Sequence, residues 1–273
     1  MLFAVAALAM SDSAASATGL PRVVSMNVCS DQLLLTLADP GQILGLSRYA
    51  RDSWQSWAAD KARHYPILSG GAEDVLVLKP DIVVASLFDK RTTRELLKAK
   101  GLHVVEFGVP RTLPEVKDQI REMGDVVQKQ DRARDEIARL DAAIARARAA
   151  ATGKQYRVLP LSRRGFVSGR DSLVSSLLTE TGLLNPAGDL GIASGGFASL
   201  EAIVSLRPDF LLVSETGDRA EDEGRAFLLH PALQHFYPPE KRIVIPERLT
   251  VCGGAMLAEA LDLLTAELKR VGR

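Results

Sequence analysis

Residues 72–86 read AEDVLVLKPDIVVAS, and residues 200–214 read LEAIVSLRPDFLLVS. Glu73 falls opposite Glu201, Pro80 opposite Pro208 and Asp81 opposite Asp209 at one constant offset, so both halves of the chain carry the same phrase. Its first part, 73–78 or 201–206, spaces apolar residues as a helix does. Lys79-Pro80-Asp81 and Arg207-Pro208-Asp209 then end that helix, because proline lacks the N–H to continue it and restrains the residue before it. The tails IVVAS and FLLVS are short apolar runs suited to a strand covered on both faces.

Each phrase sits in a matching frame. A β-rich run opens each half, 22–27 and 156–162, and a helical segment follows, 31–38 and 172–181. After the phrase each half closes on another apolar strand, 103–107 and 242–245. Strands alternating with helices predict parallel sheets flanked by helices. The expected fold is α/β: two Rossmann-like lobes with central parallel-rich sheets, 18–112 and 152–273, joined by one long interdomain helix over 113–151. That linking segment starts at Thr112-Leu113-Pro114-Glu115, a capping box with proline inside the first turn. Val116, Ile120, Met123, Val127, Ile137, Leu140 and Ile144 then recur mostly at steps of three and four. A continuous helix over 114–150 would be about 55 Å long at ~1.5 Å per residue, a stiff strut between lobes. A break near Gly124 would make it a helical hairpin instead.

At 273 residues the chain reaches the length where one core gives way to two, and 47% hydrophobic residues suffice to fill them. Basic and acidic residues balance at 34 each, so the chain lacks the positive excess of a nucleic-acid binder. Residues 1–17 read as an export signal: a short apolar run, 2–10, precedes Ala15-Ser16-Ala17, an A-x-A cleavage pattern. No Lys or Arg precedes the run, which fits a start site placed downstream of the true one. The run is far below the ~20 residues of a membrane span. The expected product is a periplasmic monomer that is not membrane-embedded. No G-x-S-x-G elbow, P-loop, G-x-G-x-x-G after a strand or H-E-x-x-H occurs, so neither an enzyme nor a resident cofactor is expected.

The patterns RVVSMNVCSDQLLL at 22–35 and GAEDVLVLKPD at 71–81, the linking segment, and the second E-x-x-x-x-L-R-P-D together resemble the class III periplasmic binding proteins, which serve importers of iron–siderophore complexes, vitamin B12 and haem. The resemblance implies a soluble periplasmic solute-binding component of an ABC importer. Its implied partners are an inner-membrane permease dimer with its ATPase subunits and a small-molecule metal chelate, iron–siderophore or corrinoid-like. It also implies that Glu73 and Glu201 stand on the outer surfaces of their lobes and dock onto permease arginines. A duplicated carboxylate suits a two-fold partner, although either glutamate would also favour a helix N-terminus. Haem, molybdate and metal-ion receptors of the same superfamily are alternatives; a periplasmic hydrolase or a sensor accessory protein is the reading from another class.

In open parallel sheets ligands sit beyond the carboxyl ends of the strands. That rule selects Asn27, Cys29, Ser30 and Asp31, then Arg48, Tyr49 and Arg51, then Phe88 in the first half. In the second it selects Arg163, Arg164 and Phe166, then Gly196 and Phe197, then Glu215, and finally Arg248, Thr250 and Cys252. The five arginines suit the carboxylates or phosphates of an anionic chelate. Cys29 and Cys252 leave three readings open: a disulfide, favoured by an oxidising compartment, a thiolate contact to a soft metal, or two separate buried thiols. A bridge would clamp the lobes. His64, His103, His230 and His235 read as surface or packing residues, with no metal site expected. Where vitamin B12 receptors carry aromatic walls before the two glutamates, this chain has Ile67 and Gly195, a departure from that pattern.

Overall fold

The computed structural model of the chain describes residues 19–214 and 223–271; the expected signal segment 1–17 and Glu215 lie outside them. In the first lobe β1 (Val23–Ser25), α1 (Val28–Leu37), β2 (Ile43–Gly45), α2 (Ala59–Ala62), α3 (Ala72–Leu78), β3 (Ile82–Ser86), α4 (Arg91–Ala99) and β4 (His103–Phe107) follow one another. The strands form one parallel sheet in the order β2-β1-β3-β4. Two helices, α5 (Leu113–Val126) and α6 (Gln130–Ala151), come next. The second lobe runs β5 (Val158–Pro160), β6 (Phe166–Ser168), α7 (Leu173–Glu180), β7 (Gly195–Phe197), α8 (Leu200–Leu206), β8 (Phe210–Val213), α9 (Glu223–Leu228), α10 (Pro231–Phe236), β9 (Arg242–Val244) and α11 (Met256–Val271). Its parallel sheet has the order β5-β8-β9, and β6 and β7 form a separate antiparallel ribbon that the sequence pattern did not announce. Among the described residues no helix is long and apolar enough to cross a membrane.

The repeated phrase folds the same way twice. Helices α3 and α8 end on Lys79 and Arg207, both left-handed at φ 47° and 49°. The following proline is buried and the aspartate turns back to the neighbouring strand. Asp81 Oδ2 accepts from the Arg22 N–H at 2.7 Å, and Asp209 Oδ2 accepts from the Arg157 N–H at 2.8 Å. The same two arginines donate from their guanidinium groups to the helix ends, at the carbonyls of Lys79 (2.8 Å) and Leu206 (3.1 Å). One Pro-Asp pair thus stops a helix, starts a central strand and sets that strand's register against its neighbour.

The linking segment corrects the expectation of a continuous rod over 114–150. The chain turns at 127–129, where Gln128 takes φ 56°. Lys117 pairs with Asp141, and a Cβ on Gly124 would lie 2.6 Å from the Ala133 Cβ, so α5 and α6 form a close antiparallel hairpin. Contacts to the first lobe hold the turn. Val127 is fully buried, its carbonyl accepts from Gln42 Nε2 at 3.0 Å, and Lys129 pairs with Asp39 at 2.5 Å. These tertiary contacts override a segment whose intrinsic propensity is helical throughout.

Helix α6 makes the crossing from the first lobe to the second. With 22 residues it is about 33 Å long at ~1.5 Å per residue. Near its start Arg132 donates to the Leu37 carbonyl at 2.8 Å, and near its end Arg148 donates to the Glu180 carbonyl at 2.8 Å. Helix α11 lies beside it, with Arg146 bidentate on Asp262 and Arg139 on the Ala255 carbonyl at 2.7 Å. One apolar cluster consequently runs from Val23 and Leu34 through Ile120, Leu140 and Ala147 to Ile243 and Leu261. The lobes share this core, and each adds a smaller cluster of its own, around Val24, Val83 and Leu97 in the first and around Leu159, Ile203 and Leu211 in the second.

Gly124→Val forces the hairpin apart and should cost roughly 1–3 kcal/mol, as overpacking in a filled core does. Gly41→Ala, with nothing within 4 Å of the added Cβ, should leave the urea midpoint unchanged. Equal midpoints for the two variants would contradict the hairpin.

Candidate ligand-binding cleft

The carboxyl ends of the first sheet and the loop before α11 meet between the lobes. Asn27 caps α1, its Oδ1 accepting from the Cys29 N–H at 2.9 Å. Its Nδ2 donates to Asp89 Oδ1 at 3.4 Å, and Asp89 Oδ2 accepts from the Ser86 N–H at 2.7 Å. Cys29 and Cys252 are joined by a disulfide across 223 positions of sequence, with Cα atoms 5.3 Å apart. Of the three readings open to the cysteines the first holds, and no thiolate remains for a soft metal. Cys252 is 1% exposed and belongs to the shared core, so the bridge ties the lobes at the cleft floor. Gly253 beside it meets Pro110 and Val116, each 2.7 Å from where a Cβ would stand, so any side chain here would push those neighbours aside.

Above this floor lies a cavity of about 380 Å³. Phe88, Phe107 and Val109 line it from the first lobe, and Leu173 and Val251 from the second; Ser30, Ser86, Ser172 and Ser194 supply hydroxyls and Arg111 a cation. A second hollow of about 330 Å³ opens beyond the ends of β5 and β8, bordered by Ser162, Arg163, Phe166, Ser168, Ser214 and Thr250. Val251 lines both, so the two adjoin.

The residues selected from sequence divide accordingly. Asn27, Cys29, Ser30, Phe88 and Cys252 line the interlobe cavity, and Arg163, Phe166 and Thr250 line the adjoining hollow. Arg48, Tyr49, Arg51, Arg164, Gly196, Phe197 and Arg248 line neither, and Glu215 is outside the described residues. Asp31 is fully buried beneath the floor, where both its oxygens accept from Ser47, and burial pushes its carboxyl up to about 7. Arg51 donates to the Tyr65 carbonyl at 2.8 Å and to those of Ala62 and Arg63, so its guanidinium braces a turn. Arg48 folds over the Tyr49 ring, 4.7 Å from its centroid, and donates to the phenol oxygen at 2.6 Å. Phe197 is 71% exposed and stands edge-on to Phe166 at 5.5 Å. Arg164 occupies a left-handed turn on the surface. The five arginines therefore do not converge; only Arg163 borders a hollow.

Sequence reasoning missed Val109 and Arg111 on the first lobe and Asp171 and Ser194 on the second. The signal for the first pair was present, since 108–111 follow the carboxyl end of β4 just as Asn27 follows β1. Glu73 and Glu201 lie away from this cavity, exposed in the first turns of α3 and α8. The Glu201 backbone N–H and Ser199 hold the Glu201 carboxyl below its ordinary range. Replacing Cys29 with Ser should lower stability by roughly 2–5 kcal/mol, the usual cost of losing a native bridge. Calorimetric melting of the oxidised protein against the variant checks this, and equal melting temperatures would show that the bridge adds nothing.

A sequence profile of periplasmic binding proteins matches residues 23–239. Two cobalamin-binding proteins from strains of Halobacterium salinarum are 25% identical over 217 residues, which cover 76% of this chain and 57% of theirs. The chain thus spans little more than half the length of these curated relatives. Among solved structures, the apo form of the periplasmic haem-binding protein RhuT from Roseiflexus sp. RS-1 superimposes with a TM-score of 0.74 at 23% identity, covering 93% of this chain and 100% of that one. An ABC-type Fe3+-hydroxamate transport protein from Saccharomonospora viridis DSM 43017 gives 0.69 at 19% identity, covering 91% and 93%. At these identities the structural likeness speaks for the fold, two lobes about a cleft. The profile covers most of the chain, and the chain belongs to the periplasmic binding protein family.

Proposed function

We propose that the chain is the periplasmic solute-binding component of an ABC importer, and that it takes a metal chelate with a broad apolar face, a tetrapyrrole of corrinoid or haem type, between its lobes. The observation that carries this reading is the cavity wall. Phe88, Phe107 and Val109 face Leu173 and Val251 across the gap, with Arg111 the one cation among the described lining residues. Phe88 is 79% exposed, which costs free energy unless a ligand covers it. Apolar burial at ~25 cal/mol per Å² supplies affinity, and the ring of serine hydroxyls orients the polar edge of the ligand. The cobalamin-binding and haem-binding names among the relatives support the same class. An iron–siderophore complex is the second reading, favoured by Arg163 and the hydroxyls of the adjoining hollow and by the hydroxamate-transport relative.

Delivery uses the duplicated carboxylates. Glu73 and Glu201 stand exposed at equivalent places on the two lobes, where each meets one half of a two-fold permease. Export by the 1–17 segment places the protein in the periplasm.

Titration of the purified chain with cyanocobalamin, haemin and a ferric hydroxamate, followed by tryptophan quenching, tests the ligand class. Saturable binding of a tetrapyrrole, weakened about tenfold or more by Phe88→Asp, is expected; binding of the ferric hydroxamate alone would replace the first reading by the second. The double variant Glu73→Lys, Glu201→Lys should retain ligand affinity and lose uptake in cells. Undiminished uptake would remove the docking role.

A further inference from the structure

The two hollows differ in chemistry but share walls, because two stretches of chain run from one into the other. On the first stretch Phe166 and Ser168 border the hollow beyond β5 and β8, and Asp171 and Ser172 line the interlobe cavity. On the second, Thr250 borders the hollow, Cys252 lines the cavity and Val251 between them lines both. The hollow is built for polar contact. The hydroxyls of Ser162 and Ser168 border it, and neither makes a hydrogen bond among the described residues. Arg163 and Glu247 add one charge of each sign. Its aromatic member is held in place. Phe166 on β6 lies opposite Phe197 on β7, the rings edge-on with centroids 5.5 Å apart. A Cβ on Gly195 would stand 2.7 Å from the Phe166 Cζ, so the missing side chain lets the ring lie across the ribbon. Phe166 is 37% and Phe197 71% exposed, which leaves aromatic surface open beside a polar hollow.

We propose that this hollow is a subsite for an arm appended to the ligand, a nucleotide-like arm that ends in an aromatic ring. The inference rests on the reading that a tetrapyrrole occupies the interlobe cavity, and it narrows that reading to tetrapyrroles that carry such an arm. The aromatic end packs against Phe166, where ring pairs gain beyond the area they bury. Sugar hydroxyls donate to Glu247 and accept from Ser162 and Ser168. A phosphodiester carries a single negative charge, which suits one guanidinium with a carboxylate on the same wall; a doubly charged group would meet more repulsion from Glu247. Val251, lining both hollows, marks the passage between ring and arm. A tetrapyrrole without an arm leaves the serine hydroxyls to water. Sites whose polar groups lose their partners discriminate against the ligand that lacks them.

Cyanocobalamin and cobinamide share ring and metal, and only the first carries a nucleotide arm. Calorimetric titration of the full-length chain is expected to show cyanocobalamin binding about tenfold or more tighter than cobinamide. Phe166→Ala removes the aromatic contact, and Gly195→Ala displaces the ring without removing it. Each should weaken cyanocobalamin and shrink the preference to within about threefold; either variant decides the matter if the other fails to fold. Phe88→Asp, in the interlobe cavity, should weaken both ligands alike. No preference for cyanocobalamin in the native chain, or a preference that survives both ring variants, overturns the subsite and leaves the tetrapyrrole reading standing. If neither corrinoid binds, that reading falls and the arm by itself decides. The dimethylbenzimidazole ribonucleotide, titrated into isotopically labelled protein, should then shift the Ser168 and Thr250 amide resonances in the native chain and not in Phe166→Ala; unshifted resonances overturn the proposal.

Discussion

One apolar core, continuous from the first sheet through α6 and α11 to the second, fixes how far apart the walls of the cleft stand. A two-lobed receptor could be built from separate cores on a flexible linker, and its lobes would then move freely. Here the hairpin of α5 and α6 seats one end of the crossing helix against Leu37 and Asp39 and the other against Glu180. The disulfide, the Trp57–Glu259 hydrogen bond and the Arg139 contact to Ala255 close the same joint from the cleft side. The cavity is consequently formed before any ligand arrives. Affinity then need not be spent on drawing the lobes together.

The duplicated phrase carries two kinds of information in one run of residues. Its Pro-Asp pair is architectural, because Asp81 and Asp209 bond to the strand beside them, accepting from the N–H groups of Arg22 and Arg157. Its glutamate is not needed for that architecture. Ser199 caps α8 through the Ala202 N–H, while α3 begins at Gly71 with no side-chain cap, yet both helices place a carboxylate at the surface in the same turn.

Much of this was legible in the sequence, for identifiable reasons. Pro80 and Pro208 announce helix ends through covalent geometry, and the runs IVVAS and FLLVS announce covered strands, so elements governed by local chemistry came out within a residue or two. The turn at Gln128 did not, because a left-handed glutamine held by Gln42 and Asp39 from elsewhere in the chain leaves no local mark. The β6–β7 ribbon escaped because Gly195 and Gly196 carry no strand signal; there a missing side chain makes room for Phe166. The rule that ligands gather past strand ends selected the end of each lobe where the two hollows open but not the direction of each side chain. Asp31 points down into the core and Arg51 folds onto carbonyls, and neither orientation follows from position along the chain.

Because Cys29 and Cys252 are bonded, most of the polypeptide forms a closed circle. A single peptide bond hydrolysed anywhere inside that circle opens it without releasing either fragment, since both remain fastened beneath the binding cavity. Cut by a protease, such a molecule can be nicked and still be one molecule.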